Sequence, residues 1–107
     1  MAYPLLGTRF VLDEEKILRE NKYDLDKMYA KIEEMAKECG LIKIDKNTYH
    51  CKGDKEDLAR LGGFVLDYLV ESEWFTLNVK EWECLDSDEG NENMINYFQS
   101  KNRGIWI

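Results

Sequence analysis

Proline is nearly missing from this chain of 107 residues, with Pro4 the only one, and His50 is the sole histidine. No linker-like stretch, low-complexity tract or internal repeat divides the sequence, so one domain covering residues 1–107 is expected. No uncharged run, Leu61–Leu66 included, approaches the roughly 20 apolar residues that span a bilayer. The opening MAYPLLGTRF lacks the basic start and apolar run of a secretory signal, so a cytoplasmic protein without membrane contact is expected. Cysteine is scarce too. Cys39, Cys51 and Cys84 are an odd number without regular spacing, which argues against a disulfide framework and fits free thiols packed as small apolar residues.

What is present is globular in character. Hydrophobic residues make up 44% of the chain and charged ones 35%, a balance that buries a core rather than staying disordered. The net charge of -7 is unevenly spread. From Leu61 to Asn93 nine acids face Lys80 alone, a local charge of -8, while the remainder carries +1. Such a segment repels phosphate backbones and anionic headgroups, which disfavours nucleic acid as a general partner. The Lys-, Glu-, Asn- and Tyr-rich texture resembles that of small bacterial proteins, without any motif that names a family.

Periodicity gives an α+β chain with four or five helices packed around a small antiparallel hairpin at residues 42–51. Thr8–Leu12 reads as a short extended start. Asp13 is placed to cap a helix to about Glu20, with Leu12 and Ile17 as a hydrophobic staple, and Tyr23, Asp24 and Met28 repeat the device. Leu25, Met28, Ile32, Met35 and Cys39 form one apolar stripe, which Gly40 terminates. Around Lys46-Asn47, Ile44 is expected opposite Tyr49 and Ile42 opposite Cys51 on the inner face, with Lys43 and His50 outside. A helix starting near Asp54 should bury Leu58, Leu61, Val65, Tyr68 and Leu69. Its Gly62-Gly63 pair, which costs roughly 2 kcal/mol against alanine, implies either a break in the helix or another backbone packed closely there, and close packing is the preferred expectation. Residues 74–85 fit either period and are read as helix, a last helix begins near Met94, and 105–107 is a candidate third strand.

Catalytic and metal signatures fail on geometry. On a strand, successive residues face opposite ways, so His50 and Cys51 do not form a nucleophile–base dyad. Cys39, His50, Cys51 and Cys84 have the count for zinc but no closely spaced pair of ligands. In DSDEG the glycine falls one place early for a calcium loop, and RLGGFV lacks the lysine and hydroxyl of a phosphate loop. Glu71 with Glu73, and Glu81 with Glu83, are two apart and would not share a helical face. No enzyme activity, cofactor or metal is therefore expected.

The unusual feature is the interleaving of aromatic and acidic residues in ESEWFTLNVKEWECLDSDE. Tryptophan set in a polar rim is typical hot-spot chemistry. The leading expectation is a small non-enzymatic interaction protein that regulates or inhibits a partner protein through Trp74, Trp82, Glu71, Glu73, Glu81, Glu83, Asp86 and Asp88, with homo-oligomerisation left open. The alternatives are a winged-helix-like DNA-binding regulator using residues 24–39 and Lys46, an acidic mimic of a nucleic-acid backbone, and an orphan enzyme built on His50.

Overall fold

The computed structural model describes residues 4–106 and has α+β architecture: five helices and a five-stranded antiparallel sheet. The strands are β1 (Leu6–Leu12), β2 (Ile42–Asp45), β3 (Thr48–His50), β4 (Val79–Asp86) and β5 (Glu92–Asn93), in the order β2-β3-β1-β4-β5. The helices are α1 (Glu14–Glu20), α2 (Leu25–Glu38), α3 (Asp57–Gly62), α4 (Glu73–Thr76) and α5 (Met94–Ser100), and α3 continues as a π-helical stretch over Gly63–Leu69. No helix among the described residues is long and apolar enough to cross a membrane.

The expected small hairpin is thus one edge of a larger sheet, and the short extended start is its middle strand. β1 alternates, with Thr8, Phe10 and Leu12 buried and Arg9 and Val11 on the other face, so it can be covered on one side only. An aromatic chain fastens the helices to that covered side. Phe10 meets Phe75 of α4 at 5.6 Å, Phe75 meets Trp82 at 4.9 Å, Trp82 meets Phe98 of α5 at 5.2 Å, and Tyr49 meets Phe64 at 5.7 Å between ring centroids. The buried Trp82 Nε1 donates to Thr8 Oγ1 at 3.0 Å, and that hydroxyl donates to Glu83 O at 2.8 Å, so neither polar group is stranded in the core.

Several expectations need correction. Residues 74–85 are not one helix: α4 ends at Thr76, and β4 runs the length of β1, pairing Phe10 with Trp82 and Thr8 with Cys84. Burial on one face suits both periods, and pairing with β1 decides for the strand. In the hairpin, a register shift between Lys43 and Asp45 brings Ile42 opposite His50 and Lys43 opposite Tyr49, leaving Ile42 and Ile44 48% and 54% exposed. Lys43 instead reaches Glu33 of α2 at 3.3 Å. Among the described residues no other backbone packs against Gly62-Gly63; a Cβ at Gly63 would make ordinary contact with Cys39 Sγ at 3.6 Å, and the chain continues with wider π-helical winding, Val70 N donating to Val65 O.

The expected C-terminal strand does not form at Ile105 and Trp106, and Ile107 lies outside the described residues. That tail is held against helices instead: Arg103 donates to Leu66 O at 3.0 Å, and Ile105 N to Thr76 Oγ1 at 3.3 Å. The two N-terminal caps form as the sequence implies, Asp13 accepting from Lys16 N and Asp24 from Lys27 N at 3.2 and 3.1 Å.

Candidate protein-interaction surface

The fold disperses the acidic and aromatic residues that lie together in sequence. Glu71 pairs with Arg103 of the tail, and Glu73 is exposed at the start of α4. Glu81 and Glu83 lie on the uncovered face of the sheet, each 3.6 Å from the Arg9 guanidinium. Asp86 and Asp88 sit at the far end of β4, where Asp86 Oδ1 accepts the amides of Asp88 and Glu89 at 2.8 and 3.0 Å. Trp82 is 2% exposed and belongs to the core, which removes it from any contact surface. Trp74 is half-buried and shares a hollow with Lys22, Lys27 and Lys31 and with a single acid, Asp24.

The residues that do come together are at the two ends of the central strand pair. At the end where Leu6 pairs with Asp86, two hollows of about 270 Å³ each lie on either side of Leu58. Leu6, Leu58, Asp86 and Glu89 line both, while Leu61, Met94 and Glu92 are among the residues that line one and Pro4, Asp54 and Lys55 among those that line the other. Leu58 is 75% exposed, the most exposed of the large apolar side chains described.

This exposure overturns the expectation that Leu58 is core, and its cause is local. The helix begins at Asp57 rather than Asp54, and its buried side is Asp57, Leu61, Phe64 and Val65, so Leu58 turns outward in the first turn. Asp57 fixes that start. Its buried carboxylate accepts the amides of Lys52, Gly53 and Asp54 at 3.2, 2.6 and 2.9 Å and the Arg60 guanidinium at 2.8 Å, folding the preceding loop back over the helix. Asp54 also meets Arg60, whose guanidinium holds its carboxyl below the ordinary aspartate range. Among the described residues, no lysine or arginine lies within 4.0 Å of Asp86, Glu89 or Glu92; Glu89 and Glu92 are exposed and available to a partner, while Asp86 is half-buried and already accepts the amides of its own loop.

At the opposite end, beyond Leu12, a shallow slot of about 340 Å³ has Tyr23, Met28 and Trp74 as its apolar surface and Lys22, Lys27 and Lys31 around it, with Asp24 the one acid in its lining. The second staple builds this slot: Met28 is buried, and Tyr23 is held beside it by the turn that Asp24 caps.

The remaining chemistry-bearing groups stay apart. His50 faces the uncovered side of the sheet opposite Gly7, where a Cβ would come within 2.7 Å of its ring. Cys51 is buried on the other side and donates to Asp57 O at 3.5 Å. Burial pushes the thiols of Cys51 and Cys84 up to about 12 and that of Cys39 upward, the opposite of nucleophile activation. No cluster of three or more His, Cys, Asp or Glu suited to a metal ion occurs among the described residues. No protein-family model matches the chain, and comparison with curated proteins finds no significant relative.

Proposed function

We propose that this protein is a non-enzymatic interaction module that regulates or inhibits a partner protein, and that its working surface is the acidic end around Leu58. The observation that carries the reading is a large apolar side chain standing in solvent between two partly apolar hollows, with Asp86, Glu89 and Glu92 around it. Isolated exposed leucines are ordinary, but one backed by Leu6, Leu61 and Met94 and rimmed by unpaired acids has the layout of an apolar anchor with a charged rim. The partner surface that fits supplies apolar side chains for the hollows and lysines or arginines for the rim. Charge of that kind speeds encounter and excludes acidic competitors, while the apolar contact provides most of the affinity.

The acids lie on separate surfaces and two are bonded to Arg9, which supports a phosphate-backbone mimic less well than a local contact. The hairpin that would serve as a wing in a DNA-binding reading is an edge of the sheet.

Selection of displayed random peptides against the folded protein tests the proposal. Enriched peptides should combine apolar residues with Lys or Arg, and their binding should fall at least tenfold against Leu58→Asp and against Glu89→Lys/Glu92→Lys, a change of two exposed acids. Equal binding to the wild type and both variants would assign the contact to another surface.

A further inference from the structure

The acidic end calls for a basic surface with an apolar recess, and this chain carries one. β1 and β4 separate the two: the hollows lie where Leu6 meets Asp86, and the slot lies beyond the Leu12–Val79 pairing. Seven residues of strand put the ends roughly 20 Å apart, too far for one molecule to join its own ends. The slot offers Tyr23, Met28 and Trp74 as apolar walls, and among the described residues Lys22 and Lys27 have no carboxylate within 4.0 Å; Lys31 has only an exposed contact to Glu34 at 3.9 Å. Three lysines against Asp24 leave the slot net positive, and the acids beside Leu58 leave the other end net negative even with Lys55 in its lining. Shape agrees with charge. A protruding leucine has a recess to enter, and Tyr23, 39% exposed at the edge of the slot, has hollows beside Leu58 to enter in return.

We propose that the acidic end of one molecule docks on the lysine-rimmed slot of another, with Leu58 entering between Tyr23, Met28 and Trp74, so that the protein associates head to tail. This rests on the reading that the acidic end is the working surface, and it names a second copy of the chain as an occupant of that end. Because the two patches differ and lie at opposite ends, the contact is heterologous. It extends into a ring or an open filament rather than closing as a two-fold dimer. Its strength depends on ionic strength, since Glu89, Glu92, Lys22, Lys27 and Lys31 are all exposed and screened by salt. A foreign partner on the acidic end and self-association exclude one another, so assembly is also a means of regulating access to that end.

Sedimentation equilibrium on the wild type and two variants tests this. Leu58→Asp disables the protruding end and Lys27→Glu/Lys31→Glu disables the slot; all three positions are exposed, and circular dichroism verifies that both variants fold. The wild-type average mass should rise from 12.7 kDa as concentration goes from micromolar to millimolar at low salt, and return to that value in high salt. Each variant alone should remain a monomer. An equimolar mixture of the two should form a species of twice the monomer mass and nothing larger, because it retains one good protruding end and one good slot. A wild type that stays monomeric to millimolar concentration, variants that assemble like the wild type, or a mixture that stays monomeric would each overturn head-to-tail association. If the wild type stays monomeric yet peptide binding is still lost in Leu58→Asp, only the self-association inference fails, and the acidic end keeps its role.

Discussion

Leu58 and Trp82 exchange the roles their sequence contexts suggest. Leu58 sits at helical spacing from Leu61 and Val65 and reads as core, yet it is among the most solvent-exposed side chains; Trp82 sits among glutamates and reads as surface, yet it is among the most buried. The reason is local for Leu58 and distant for Trp82: Asp57 resets the helix start through the 52–54 amides, and Thr8, more than seventy residues away, gives the Trp82 indole N–H an acceptor inside the core. Stability should follow the observed positions. Trp82→Ala should lose about 3–5 kcal/mol in urea unfolding, as a large aromatic removed from a packed core does, whereas Leu58→Ala should stay within about 0.5 kcal/mol. The thiols make a second residue-level prediction. Their folded values are raised above those of the unfolded chain, so their neutral form contributes stability that is present below pH 9 and is lost as pH rises toward about 12. Unfolding free energy should therefore decline above pH 9 by about 1 kcal/mol per pH unit for each of Cys51 and Cys84. Replacing both with alanine should flatten that slope. Near neutral pH an aromatic disulfide reagent should modify the buried Cys51 only after denaturation.

At the level of elements, two helix starts were legible locally and a third was not: α3 begins at Asp57 rather than near Asp54, and Leu58 and Tyr68, expected on its buried side, are exposed. The capped helices α1 and α2 follow from Asp13, Asp24, the two staples and Gly40, all signals within a few residues of the feature they specify. Pairing was not legible. Nothing in the sequence near Val79 says that β4 will lie beside β1 across more than sixty intervening residues, and Phe75, Val79 and Trp82 satisfy both periods. The hairpin turn was placed correctly at Lys46-Asn47, but the shift between Lys43 and Asp45 that leaves both Ile42 and Ile44 exposed has no sequence mark. The acidic half of the candidate surface was visible as charge; its apolar centre was not, because it depends on where α3 begins. That start should be sensitive to one side chain. Asp57→Ala leaves three amides without their acceptor and Arg60 with Asp54 alone, and should cost about 2–3 kcal/mol in denaturant unfolding. The cost should be accompanied by faster hydrogen exchange in residues 52–58 than in α2.

Taken whole, the molecule is polar in the electrical sense. Its net charge of -7 is concentrated in the segment from Leu61 to Asn93, part of which forms the acidic end, and three lysines mark the opposite end. The sheet face between them, carrying Arg9, Val11, Thr48, His50 and Leu85, is only half-covered by its own side chains and is the main rival for any contact. Amide spectra of the labelled protein, recorded while the strongest selected peptide is added, separate the two surfaces. Shifts should concentrate at Leu58, Leu61, Asp86, Glu89, Glu92 and Met94 and leave Arg9, Val11, Thr48 and His50 in place. Shifts centred on those four sheet residues, with Leu58 and Glu89 unmoved, would contradict the assignment of the acidic end as the surface through which this protein works.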